Sequence, residues 1–194
     1  MTTRQRRGEV KRAALVEAAA RVALEHGVAA LSHRLVAAEA GVALGSTTYY
    51  FASLDELRAA AIHRLLAGDR ERREQVLAAG VPADPAPADL AWVLIDLVIG
   101  VARLDEPAQV ARLYERIAEA ARAPQLADVV RAGQEAVEAD ADRLVARTPW
   151  AQADGDTLVA IVDGRAIGWL AHGDAQPHRF VERVAADLAA HRAR

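Results

Sequence analysis

Residues 46–50 read Ser46-Thr47-Thr48-Tyr49-Tyr50, five hydroxyl-bearing side chains in succession. Hydroxyls become nucleophiles only beside a base, and none is placed here by the sequence. Their common chemistry is hydrogen bonding to a polar surface. On a short helix, small side chains allow deep entry into the major groove of DNA. There Ser and Thr can bond base edges, and a Thr methyl can meet a thymine methyl. Phenol hydroxyls reach phosphate oxygens. Leu44 and Gly45 open the same segment, so the expected DNA-reading helix presents Leu44, Gly45, Ser46, Thr47, Tyr49 and Tyr50. Arg6, Arg7, Ser32 and Arg34 are the expected phosphate contacts around it.

Catalytic and metal chemistry has little to stand on. The chain has no cysteine, which excludes disulfides, thiolate catalysis and Cys-based metal sites. A Gly-rich phosphate loop, a nucleophile elbow and a paired-His metal helix are all absent. His172 and Asp174 are close in sequence, but no nucleophile accompanies them. The expectation is therefore a binding protein, with no enzymatic activity, cofactor or metal.

The elements that must position these residues are helical. Of 194 residues 53% are hydrophobic and only 4% aromatic, with alanine abundant. Alanine is the best helix former, and no stretch alternates with the period of a strand. The seven prolines fall where helical patterns break. The predicted helices are 9–26, 32–40, 43–50, 53–79, 88–103, 107–122, 124–147, 155–172 and 177–192. In the first, Leu15, Ala18, Ala19 and Val22 make one apolar face, and Gly27 ends it. Ser32 caps the second. Ser53 with Glu56 forms a capping box on the fourth.

Two short helices joined by a Gly-containing turn and braced by a longer one make a helix-turn-helix. Here the pair surrounds Ala37-Ala38-Glu39-Ala40-Gly41-Val42, with Ala37 small enough for close crossing, Gly41 at the turn and Val42 expected in the core. Charge is uneven in the same sense. Residues 1–51 hold seven Lys/Arg against four Asp/Glu, whereas the whole chain carries a net −3. A basic head on an acidic body suggests that the head meets the polyanion.

Residues 9–66 resemble the DNA-binding domain of the tetracycline-repressor (TetR) family. The resemblance is carried by Leu15-Val16-Glu17-Ala18-Ala19 through Gly27, by Ser32 through Ala40-Gly41-Val42, by Tyr49-Tyr50-Phe51 and by the capped start at Ser53 to Leu57. Two positions depart from the family pattern. Thr47-Thr48 stands where Leu-Tyr is frequent, and Leu54 stands where a phosphate-contacting Lys is frequent, with Arg58 a substitute. The resemblance implies an all-α protein with a DNA-binding domain over 1–52 and a ligand-binding and dimerisation domain over 53–194. The helix 53–79 would connect them. It implies a ligand-responsive transcription regulator: a repressor released by a small molecule from a palindromic operator in double-stranded DNA, or an activator of the same fold; the competing reading is a helical small-molecule-binding protein or enzyme without DNA binding.

In the acidic body, 155–172 is apolar on more than one face. Gly164 and Gly168 are four apart and permit close helix approach. With 177–192 it is the expected homodimer interface, since helix-turn-helix proteins read two half-sites as symmetric dimers. The intervening segments would enclose a largely apolar effector. Trp92, Asp96, Tyr114, Trp169 and His172 are the candidate liners, and Asp96 beside Trp92 would favour a cationic aromatic ligand. The N-terminus lacks a secretory pattern, and 90–102, broken by Asp96, is too short to span a bilayer. The expected setting is the cytoplasm, away from membranes.

Overall fold

The computed structural model describes residues 3–122, 124–173 and 176–192. Among them are nine α-helices and two 3-10 turns, with no strand. The helices are α1 (Thr3–His26), α2 (His33–Glu39), α3 (Leu44–Tyr50), α4 (Leu54–Ala79), α5 (Pro87–Val98), α6 (Pro107–Ala121), α7 (Pro124–Val145), α8 (Gly155–His172) and α9 (Pro177–Ala190). α1 begins earlier than its apolar stripe, because Arg and Gln lose little side-chain freedom in a helix and extend it. α5 ends sooner than expected. Gly100 adopts φ +91°, which no ordinary residue holds without strain, and the chain continues as a 3-10 turn, Val101–Asp105. Asp174 lies outside the described residues.

The chain forms two compact units, residues 1–68 with 115–126, and residues 69–114 with 127–194. The division falls inside α4 rather than at its start. In the first unit the stripe Leu15, Ala18, Ala19 and Val22 is buried together with Val36, Ala37, Phe51, Leu57 and Ala61. Ion pairs brace the helices: Arg64 to Glu17 at 2.5 Å joins α4 to α1, and Arg21 to Glu39 at 2.6 Å joins α1 to α2.

The second unit is built around α5, which packs on α8 and α9. Leu90, Ala91, Leu94, Ile95 and Leu97 are all buried, as befits a helix apolar on nearly every side. Trp150 is buried and donates its indole N–H to the Leu188 carbonyl at 2.7 Å. Trp169 stacks on Phe180 with centroids 5.6 Å apart. Arg165 makes two bonds to Asp187, at 2.5 and 2.6 Å, and so ties α8 to α9. At the start of α8, Gly155 runs against α7, and its N–H donates to Asp142 at 2.6 Å.

Candidate functional site

The local sequence explains how the short helices are held. The Ser32 hydroxyl accepts from the Leu35 N–H at 3.2 Å, which satisfies one of the free donors at the start of α2. Gly41, at φ +65°, turns the chain. The turn is closed by Gly41 N–H to the Ala38 carbonyl and Val42 N–H to the Ala37 carbonyl, at 3.1 and 3.0 Å. At α4 the Ser53 hydroxyl accepts from the Glu56 N–H at 3.1 Å, while the Glu56 carboxylate accepts from Ala52 at 2.8 Å. The box is thus closed one residue earlier than the Ser53 amide that the sequence pattern suggests.

α3 has one wet face. Leu44, Gly45, Thr48 and Tyr49 are exposed, Tyr49 at 79%, whereas Ser46 and Tyr50 are half-buried. Two expectations fail here. Thr47 is fully buried and donates its hydroxyl to the Leu44 carbonyl at 2.8 Å, so it cannot meet a base edge; it packs beneath the helix. Thr48 faces outward in its place, with a long bond of 3.3 Å to Gly45. Val42 does not plug the core, being 38% exposed; Val36 and Ala37 fill that space.

Tyr49 and Tyr50 meet edge to face, with centroids 5.0 Å apart. They line one groove with Gln5, Arg6, Arg7, Gly8, Val10 and Lys11 of α1. Gly8 is close enough that an added β-carbon would stand 3.9 Å from the Tyr50 hydroxyl. Charge is sorted around this groove. Arg12 pairs with Glu56 and covers the Phe51 ring, Arg21 pairs with Glu39, and Arg64 pairs with Glu17. Arg58, the expected substitute for the missing Lys, is turned to Asp55 at 3.3 Å. Arg6, Arg7 and Lys11 are exposed and make no ion pair with a described residue, as does Arg34 on α2. Lys11 was not anticipated; its place one turn after Arg7 on α1 is the signal that would have found it.

Among the five expected ligand residues no hydrogen bond or ring contact joins any two, although Trp169 lies in the core cluster against which Tyr114 packs. Trp92 is 42% exposed. Asp96 is committed elsewhere, since its carboxylate accepts from the Val101 N–H at 2.9 Å and faces Arg72 at 3.7 Å. It caps the turn after α5 and cannot also serve as the free anion for a ligand. Arg72 belongs to a row of charges on α4 in which Asp69 meets Arg103 at 2.6 Å and Arg73 meets Asp140 at 3.0 Å. Burial, and behind it Arg103 and Arg73, lower the Arg72 pKa, partly opposed by Asp69 and Asp96. Trp169 is buried against Phe180, although its indole N–H has no hydrogen-bond partner among the described residues. His172 is exposed at the end of α8, with Nδ1 against the Gly168 carbonyl of its own helix.

Tyr114 is different. It packs against the core of the second unit, and its hydroxyl donates to Asp163 at 2.8 Å. Burial raises the Asp163 pKa, partly offset by the phenol's bond. Burial, then the neighbouring Asp163, pushes the Tyr114 phenol well above its ordinary value. Asp163 was missed in the sequence because its partner stands 49 residues away on another helix.

Comparison with known proteins bears on both units. Residues 15–61 match the model of bacterial regulatory proteins of the tetR family. Residues 85–191 match a tetracyclin repressor-like C-terminal domain. No curated protein matches the sequence. Among solved structures, the multidrug binding protein EbrR complexed with ethidium is 34% identical over 91% of this chain and 97% of its own, with a TM-score of 0.61. A TetR-family member from Streptomyces coelicolor A3 is 33% identical over 91% of this chain and 96% of its own, at TM-score 0.59. A transcriptional regulator from Rhodococcus sp. Rha1 is 25% identical over 93% and 95%, at TM-score 0.70. With the helix-turn-helix and the helical second unit already in place, the chain belongs to the tetR family of bacterial regulatory proteins and is a ligand-responsive transcription regulator, not an enzyme.

Proposed function

We propose that the chain acts in the cytoplasm as a homodimeric repressor that leaves a pseudo-palindromic operator when a small, largely apolar cation binds its second unit. The groove of Tyr49, Tyr50, Arg6, Arg7 and Lys11 carries the DNA half of this reading. Exposed cations that pair with no described residue displace counterions from phosphates, while Thr48 and Leu44 on the wet face of α3 reach base edges. A two-fold dimer places two such helices about 34 Å apart, or a multiple of that.

The dimer half rests on α8. Ala160, Gly164, Ile167 and Ala171 share its exposed side, Ile167 being 51% exposed, and an added β-carbon at Gly164 or Gly168 would meet nothing within 4 Å. Such an apolar, bare face suits a second copy of the same helix. The effector class is supported by EbrR, complexed with proflavin, malachite green and ethidium, which are aromatic cations. Release requires only that the effector prefer a form whose two recognition helices no longer match the groove, and a coupling of about 1–3 kcal/mol suffices.

A gel shift on the DNA flanking the protein's own gene, with and without ethidium, tests the whole reading. A shifted band that ethidium removes is expected. If no segment of the source genome shifts, the DNA reading fails; if dye binds but leaves the band unchanged, the effector reading fails.

A further inference from the structure

Among the described residues of the second unit, five aspartates are buried or partly buried: Asp69, Asp96, Asp140, Asp163 and Asp187. Four of them face an arginine: Asp69 faces Arg103, Asp96 faces Arg72, Asp140 faces Arg73 and Asp187 faces Arg165. Asp163 is the exception. Its only partner among the described residues is the Tyr114 hydroxyl, a neutral donor. The apolar residues Ile161 and Leu170, close to it along α8, pack with Tyr114 against the same core.

A partly desolvated carboxylate without a counter-charge is costly. A purely structural role would be met as well by a neutral amide, which could still accept from Tyr114. This fold has compensated its other withdrawn aspartates with guanidinium groups and left this one open. The phenol both fixes the orientation of the carboxylate and offers an aromatic face, which attracts cations.

We infer that Asp163, held by Tyr114, is the anionic subsite that receives the positive charge of an aromatic cationic effector. The inference rests on the cationic-effector reading above and replaces Asp96 in it. The charge on Asp163 supplies the attraction and Tyr114 supplies the ring contact. A neutral molecule of the same shape gains only the apolar part.

Calorimetric titration of the full chain with two probes tests this. Ethidium is a planar aromatic cation, and phenanthridine is its uncharged parent ring at neutral pH. Asp163→Asn should weaken ethidium binding by about 10–100-fold and leave phenanthridine binding within about twofold. Asp163→Glu, which keeps the charge, should retain most of the ethidium affinity. Tyr114→Phe should weaken ethidium by less than Asp163→Asn. Operator binding without dye should be unchanged in all three, which also reports that they fold. If ethidium binds wild type and Asp163→Asn equally, Asp163 is not the subsite, although the cationic-effector reading survives. If Asp163→Asn weakens both probes alike, the carboxylate is structural and the assignment is overturned. If ethidium does not bind the wild type, both readings fall together.

Discussion

Thr47 and Thr48 are neighbours on α3 with opposite surroundings. Thr47→Ala removes a buried methyl and an internal hydrogen bond, so it should cost about 1–2 kcal/mol of stability and leave base preference intact. Thr48→Ala should leave stability nearly unchanged and relax preference at one position of each half-site, by roughly 1–3 kcal/mol if it bonds a base. Thermal melts together with binding to single-base operator variants separate the two. The opposite pattern would mean that α3 is rotated by about one residue. Sequence reasoning located the helix but not its phase. Seven residues with few large apolar side chains carry too little periodicity to fix which hydroxyl points inward. Asp163 makes a second prediction at this scale. Its carboxyl pKa is raised in the folded chain, chiefly by burial, so its ionisation opposes folding. The stability it contributes is complete below the unfolded-state pKa and is lost as pH rises through the higher folded value. Asp163→Asn should therefore raise the melting midpoint at neutral pH. The gain should vanish as the pH is lowered below the ordinary aspartate value, and a gain that persists in acid would assign it to packing instead.

Among the elements, the junction of α7 and α8 has the least tolerance. A β-carbon at Gly155 would stand 2.0 Å from the Glu138 carbonyl oxygen and 3.1 Å from the Asp142 carboxyl carbon. Backbone cannot swing aside as a flexible side chain can. Gly155→Ala should thus push α8 off α7, at roughly 1–3 kcal/mol, with a drop of about 2–4 °C in melting midpoint for each kcal/mol. A melt unchanged within 1 °C, on the order of a few tenths of a kcal/mol, would show that the helices separate without penalty. In the sequence this glycine looked like part of an ordinary helix start. Nothing local announces a close approach to a backbone 17 residues earlier. The helix ends were more readable, because caps are local chemistry: Ser32 and Ser53 both accept the bonds that their positions imply. Gly100 lies inside the helix expected over 88–103, because the apolar run around it hid its effect on α5.

For the whole molecule, the proposed homodimer makes the sharpest prediction. Gly168→Leu places a branched side chain on the bare face of α8, which should shift the sedimentation profile from dimer to monomer and weaken operator binding by at least tenfold, since one half-site contact set is lost. A variant that stays dimeric and binds normally would move the interface elsewhere. The element order was legible to the extent that it follows from punctuation, namely the nine helices of the described residues between prolines and glycines, with a basic first segment. The proposed ligand subsite was not, since it depends on which side chains of distant helices meet. One further consequence follows from where the three tryptophans fall. Trp92, Trp150 and Trp169 all lie in the second unit, and the first has none. Intrinsic emission excited at the indole band is therefore blind to the DNA-reading head and reports on the effector domain alone. Iodide should quench the wet Trp92 and spare the two buried rings, Trp150 and Trp169, which leaves the core against which Tyr114 packs with a built-in optical gauge of effector entry.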